Sequence, residues 1–112
     1  MLGFAPCLLV LCILAVSAGC LLPARYLPPL PNDKLLHFAA FAVLSLIAAQ
    51  VAENWQQQLI AYAGLFLLGW LLEYLQQWVP GRSFCWRDMA ANAAGIFSAA
   101  LLVLILTSVF QT

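Results

Sequence analysis

Apolar residues fall into four long segments that polar or proline-rich stretches separate. With approximate ends, the segments cover residues 2–22, 35–52, 59–79 and 89–110. Each approaches the ~20 apolar residues that cross a bilayer as one helix. A proline-rich connector at 23–32, a polar link at 53–58 and a loop at 80–88 lie between them. The pattern predicts an all-α integral membrane bundle of four transmembrane helices, with residues 1–112 as a single transmembrane domain.

Residue types at the ends of these segments indicate where helices begin and end. Asn32 or Asp33 is suited to cap the second helix and Asp88 the fourth, because short polar side chains accept backbone N–H groups at a helix start. Pro80-Gly81 predicts the end of the third helix. The capping residues predict where the second and fourth helices begin, and Pro80-Gly81 predicts where the third helix ends.

Small residues recur along the fourth segment. Ala91, Gly95 and Ala99 follow one another at a spacing of four, which lets helix backbones approach closely in lipid. We therefore expect a close helix contact at Gly95 and place the fourth helix in the middle of the bundle.

Composition narrows the class of protein. Of the 112 residues, 66% are hydrophobic and 7% are charged, which excludes a soluble globular domain and a disordered chain. The formal net charge is zero and there is no basic stripe, which argues against nucleic-acid binding. The four cysteines include no C-x-x-C pair, so we expect free thiols. The first segment lacks Lys or Arg before its apolar run, which favours a spanning helix over a cleaved signal peptide.

Charged and amide side chains gather toward one membrane face. If successive helices cross the membrane in opposite directions, the connector at 23–32 and the loop at 80–88 lie on the same side. Only Glu53 among the charged residues belongs to the opposite side. The residues expected at the shared face are Arg25, Asp33, Lys34, His37, Glu73, Gln76, Gln77, Arg82, Arg87, Asp88 and Asn92.

Helical spacing predicts that part of this group forms one inward-facing site. Asp33 and His37 lie at i and i+4, as do Asp88 and Asn92, while Glu73 lies about six residues inside the expected end of its helix. Polar groups at such depth turn away from lipid and toward one another. The expected acid and base groups are Asp33, His37, Glu73 and Asp88. The expected ligand-holding groups are Lys34, Gln76, Arg82 and Asn92.

These polar motifs resemble the VanZ-like family of small bacterial membrane proteins. The motifs, in order, are Asp33-Lys34-x-x-His37-Phe38, Glu73-x-x-Gln76, Pro80-x-Arg82 and Asp88-x-x-x-Asn92-x-x-Gly95. The resemblance implies a multi-helix protein of the bacterial cytoplasmic membrane. The best-known relative lowers susceptibility to the glycopeptide antibiotic teicoplanin, and the resemblance implies no settled reaction.

Two functions remain open from the sequence. In the first, the polar site binds or acts on an anionic lipid-linked or cell-envelope molecule. In the second, the same cluster only fixes the bundle, and the protein is a non-enzymatic accessory or structural protein that docks a partner membrane protein. His37 with Glu73 and Asp88 offers a third, metal-binding alternative, but nothing fixes a metal identity. We expect neither a metal nor a cofactor, and we expect membrane lipids, and no nucleic acid, as partners.

Loop charges predict the orientation in the membrane. Arg25, Lys34, Arg82 and Arg87 flank one face, and short cytoplasmic loops are enriched in such residues. We therefore expect both polar loops in the cytoplasm and both termini outside.

Overall fold

The computed structural model describes residues 3–23, 33–81 and 83–110, apart from the side chain of Asp33. These residues form four α-helices and no strand. They are α1 (Ala5–Leu21), α2 (Asp33–Val51), α3 (Trp55–Gln76) and α4 (Trp86–Phe110). The predicted all-helical class is confirmed.

Three of the four helices are long and apolar enough to cross a membrane. These are α2, α3 and α4. The 17 residues of α1 are also apolar but span only about 26 Å at 1.5 Å per residue, which is slightly less than a hydrocarbon core of about 30 Å. Length therefore separates α1 from the other three helices.

The helix bounds differ from the predicted segments where capping overrides hydropathy. Asn54 caps α3 by accepting the backbone N–H of Gln57 at 2.9 Å, and the side-chain oxygen of Gln57 accepts the N–H of Glu53 at 2.7 Å. This reciprocal cap begins α3 at Trp55, four residues before the predicted start. The polar link is correspondingly short, so α2 and α3 are antiparallel neighbours.

The helix at the centre of the bundle is α2, and not α4 as expected. α2 and α3 each contact all three other helices, whereas α4 contacts α2 and α3 but not α1 within the described parts of the chain. Phe41, Leu44 and Ser45 of α2 are almost fully buried. The small residues of α4 therefore allow a close contact with α2, but they do not place α4 at the centre of the bundle.

The predicted close contact at Gly95 is confirmed. A Cβ atom at this position would overlap the carbonyl oxygen of Phe38 and lie 3.0 Å from the backbone nitrogen of Ala42. The start of α4 also pairs with the start of α2, so the two helices run parallel. Gly95 therefore sets how closely their first halves approach.

Candidate functional site

Polar side chains from three helices converge at one end of the bundle. There α2 and α4 begin and α3 ends. One ligand-type atom each from His37 on α2, Glu73 on α3 and Asp88 on α4 lies within 4.8 Å of the other two. Glu73 and Asp88 are buried, and His37 is partly buried. The helix directions that bring these ends together were expected from the short links between segments.

Asp88 is paired with two groups of α2. Its Oδ1 lies 3.0 Å from Nζ of Lys34, and its Oδ2 lies 3.4 Å from Nε2 of His37. The helix begins at Trp86, so Asp88 occupies the first turn and not the predicted capping position. A carboxylate in the first turn is favourable because of the partial positive charge at a helix N-terminus.

Asn92 holds the other side of the His37 ring. Its Oδ1 lies 3.2 Å from Nδ1 of His37, one turn below Asp88 on the same face of α4. Both ring nitrogens of His37 therefore face side chains of α4. This double contact fixes the plane of the imidazole.

Glu73 connects the end of α3 to the start of α4. Its Oε1 accepts the backbone N–H of Cys85 at 3.2 Å, and the carbonyl of Cys85 accepts from the N–H groups of Asp88 and Met89. The backbone N–H groups at the start of a helix have no partner within the helix, and Glu73 provides one for the N–H of Cys85. Because α3 ends at Gln76, Glu73 lies in its last turn and not six residues inside it as expected, yet it is only 1% exposed.

Gln76 faces α1 and makes a different contact. Its Nε2 donates to the carbonyl oxygen of Cys20 at 2.9 Å, near the end of α1, where helix carbonyls lack partners within the helix. Its own oxygen is buried and has no hydrogen-bond partner among the described residues. The neighbouring Gln77 is exposed. Gln76 therefore ties α1 to the end of the bundle where the cluster lies.

Gly69 contributes to the site and was not expected from the sequence. A Cβ atom there would lie 3.0 Å from Nδ2 of Asn92 and 3.2 Å from the ring of Phe41. The missing side chain makes room for the Asn92 amide that holds His37. The available signal was spacing, because Gly69 is one turn before Glu73 on the same face of α3.

Some predicted residues lie outside the described residues or away from the cluster. Arg25, Arg82 and the side chain of Asp33 are outside the described residues. Asp33 itself is the first residue of α2. Arg87 is exposed beside Asp88.

Aromatic residues mark the membrane depth of this end of the bundle. Trp78, just after α3, and Trp86, the first residue of α4, are each 73% exposed. The ring of Phe84 packs edge-on against Trp86 at 4.9 Å between centroids. Exposed tryptophans favour the boundary between hydrocarbon and headgroups. We therefore expect the polar cluster to lie just inside the interfacial region.

The arrangement can move protons and hold charged groups. Lys34 supplies a cation, Asp88 and Glu73 supply carboxyl oxygens, and His37 can accept or donate a proton. Because both nitrogens of His37 are already in contact with α4, its reaction with a ligand would require one contact to open.

Comparison with known proteins identifies the family. A model of the VanZ/LLP1 family matches residues 9–107, which includes all four helices at least in part. No curated protein and no solved structure matches the chain. The matched region contains the whole polar cluster. The chain belongs to the VanZ/LLP1 family and is a multi-pass membrane protein.

Proposed function

We propose that this protein binds an anionic lipid-linked or cell-envelope molecule at the end of the bundle where α2 and α4 begin. The observation that carries the proposal is the position of Lys34. Its side chain is 41% exposed, while its ammonium pairs with Asp88, whose side chain is 8% exposed. A cation at the boundary between a buried carboxylate and the outside is suited to contact a phosphate or carboxylate from outside.

Two parallel helix starts bring backbone N–H groups to this end of the bundle. The first turns of α2 and α4 lie side by side, and their backbone N–H groups point toward the same membrane face. Helix N-termini bind anions through these groups. The carboxylates of Glu73 and Asp88 and the ends of α1 and α3 lie at the same end and offset this positive charge. Lys34 is the most exposed charged group of the cluster, so it is the group that an anion from outside would contact.

The depth of the cluster suits a lipid headgroup. The exposed rings of Trp78 and Trp86 favour the interfacial region, where lipid phosphates lie. A ligand anchored by an apolar tail would reach Lys34 without leaving the bilayer. Such a ligand fits a protein of the bacterial cytoplasmic membrane with a role at the cell envelope, in line with the relative that lowers teicoplanin susceptibility.

A non-enzymatic accessory role is the second candidate. The observation that favours it is the closed pairing of His37, whose two nitrogens already contact Asn92 and Asp88. In this alternative the cluster stabilises the bundle, and the protein acts by docking a partner membrane protein.

Binding of a polyprenyl phosphate to the purified protein tests the proposal. We expect Lys34→Gln to weaken binding roughly 10–100-fold, because one charge-assisted hydrogen bond contributes about 1.5–3 kcal/mol. Arg87→Gln is the matched control, since it removes an exposed cation at the same face outside the cluster. Equal losses in both variants would indicate surface attraction only and would contradict a defined site.

Turnover separates the two candidate functions. Incubation with lipid-linked phosphates in membrane extracts should show whether a product forms. Loss of turnover in both His37→Ala and Glu73→Gln, with normal folding, would support catalysis. Co-purification of a partner membrane protein, without lipid binding or turnover, would support the accessory role.

A further inference from the structure

The three donors at the centre of the cluster have the composition of a metal-binding set. His37 offers an imidazole nitrogen, and Glu73 and Asp88 each offer a carboxylate oxygen, with these atoms within 4.8 Å of one another. Each donor comes from a different helix, so the set depends on the folded bundle. Imidazole with carboxylates suits divalent transition ions.

The orientation of His37 is compatible with a cation at Nε2. The amide oxygen of Asn92 faces Nδ1, so in the neutral ring that contact requires the proton on Nδ1. The lone pair of Nε2 then faces the carboxylate oxygen of Asp88 at 3.4 Å. Two acceptors that face each other repel unless a proton or a metal ion lies between them.

The distances fit a shared ion. With metal–ligand bonds of about 2.0–2.2 Å, two ligands of one ion lie about 3.0–3.5 Å apart. The separation of His37 Nε2 and Asp88 Oδ2 falls in this interval, and the other donor separations, which reach at most 4.8 Å, would have to shorten by up to about 1–2 Å. Lys34 lies at the other oxygen of Asp88 and leaves Oδ2 to the ion.

We propose that His37, Glu73 and Asp88 bind one divalent transition-metal ion, such as Mn²⁺, with Asn92 orienting the imidazole. This departs from the sequence-based expectation of no metal. The sequence named the same three donors as an alternative, but it could not give the distances between them. An imidazole that donates its second N–H to a protein oxygen is the usual arrangement of a metal-binding histidine.

Electron paramagnetic resonance of Mn²⁺ added to the metal-free protein in detergent tests the proposal. His37 is the chain's single histidine, so in protein without a histidine tag any imidazole ¹⁴N coupling to bound Mn²⁺ must come from His37. We expect one bound ion per chain with this coupling. Mn²⁺ also avoids the cysteine thiols that would bind Zn²⁺.

Substitutions define the other ligands. Glu73→Gln retains an oxygen for the Cys85 N–H but loses the carboxylate, and we expect it and Asp88→Asn to weaken Mn²⁺ binding by at least about tenfold. Asn92→Ala should weaken it about 10–100-fold without removing a ligand. Glu53→Gln, in the link between α2 and α3 at the opposite end of the bundle, is the matched control and should leave binding unchanged.

Wild-type protein alone can overturn the proposal. Absence of stoichiometric Mn²⁺ binding, or bound Mn²⁺ without ¹⁴N coupling, would overturn the proposal. This result does not depend on whether any variant folds. The measurement uses no lipid phosphate, so it stands apart from the proposed anionic ligand.

Discussion

The ammonium of Lys34, at the start of α2, lies 3.0 Å from Oδ1 of Asp88 in the first turn of α4. The second oxygen of Asp88 faces His37, one turn further along α2. A single buried carboxylate therefore joins two residues of α2 to the parallel helix α4. This link defines the end of the bundle at which the polar side chains of α2, α3 and α4 meet.

The Lys34–Asp88 pair should be coupled in stability. Lys34→Gln leaves a buried carboxylate with less compensation, and Asp88→Asn leaves an ammonium without its carboxylate. We expect the double variant to lose less than the sum of the two single losses, by about 1–2 kcal/mol, in detergent unfolding measurements. Arg87→Gln combined with Asp88→Asn is the control. Because Arg87 is exposed, the changes in the free energy of unfolding of these two substitutions should be additive. Additivity of the Lys34 and Asp88 changes would mean that the pair contributes nothing to stability.

Gly95 should not tolerate a methyl group. Its added Cβ would overlap backbone atoms of α2, which cannot rotate away, so we expect Gly95→Ala to destabilise by about 1–3 kcal/mol. Gly64→Ala is the matched control, because a Cβ at Gly64 meets nothing within 4 Å and alanine favours helix by up to about 1 kcal/mol. Thermal unfolding of both variants checks the difference. Similar unfolding temperatures would contradict the close contact of α2 and α4.

Gly69→Ala should disturb His37 without touching it. The new methyl group would press on Nδ2 of Asn92, which then moves relative to Nδ1 of His37. Imidazole ¹⁵N resonances report this directly, since the chain has a single histidine. We expect shifted His37 signals in Gly69→Ala and unchanged signals in Gly64→Ala. Unchanged signals in both variants would show that Asn92 does not control the ring.

Gln76→Leu should loosen the end of α1 with little change in overall stability. The substitution removes the amide that donates to Cys20, but it also removes a buried oxygen that lacks a partner among the described residues. These effects oppose each other, so we expect a net change of about 1 kcal/mol or less. Amide hydrogen exchange over the last turn of α1 should nevertheless increase. Gln77→Leu, an exposed neighbour, should leave this exchange unchanged, and equal exchange in both variants would argue against the α1–α3 link.

Hydropathy and spacing in the sequence predicted the helices and the end of the bundle that carries the cluster. Four apolar segments gave four helices, and the i, i+4 spacing of Asp88 and Asn92 placed both against His37. Polar groups in an apolar bundle have few alternatives to meeting one another, so their spacing is informative.

The arrangement of the helices could not be predicted in the same way. Lipid is as apolar as leucine, so a helix face that contacts lipid and a face that contacts protein have similar residues. The sequence therefore does not show which of α2 and α4 is surrounded by other helices. The central place of α2 follows from Phe41, Leu44 and Ser45, none of which differs in type from exposed residues elsewhere. Gly69 was missed for a related reason, because its role depends on where Asn92 lies on another helix.

Helix ends were mispredicted where local hydrogen bonds decide them. The low hydropathy of residues 53–58 predicts a polar link, whereas Asn54 and Gln57 form a helix cap there. An Asn followed three residues later by Gln is a recognisable helix start. The sequence predicts Asp88 as the cap of α4, but Cys85 occupies that position and its carbonyl accepts the first N–H groups of the helix. The N–H of Cys85 is in turn accepted by Glu73. That partner comes from another helix, and no local pattern indicates it.

The distance between the Lys34 ammonium and a ligand phosphate tests the proposed function most directly. Lys34 is the chain's single lysine, so ¹⁵Nζ-lysine labelling gives one signal. Solid-state ¹⁵N–³¹P dipolar dephasing, measured with a polyprenyl phosphate in bilayers of a phosphorus-free glycolipid, reports contact between the two groups. The account predicts dephasing that indicates a nitrogen–phosphorus distance of about 3–4 Å, as expected for a charge-assisted hydrogen bond to a phosphate oxygen. Absence of dephasing at saturating ligand, in protein that retains the folded His37 signals, would contradict the account.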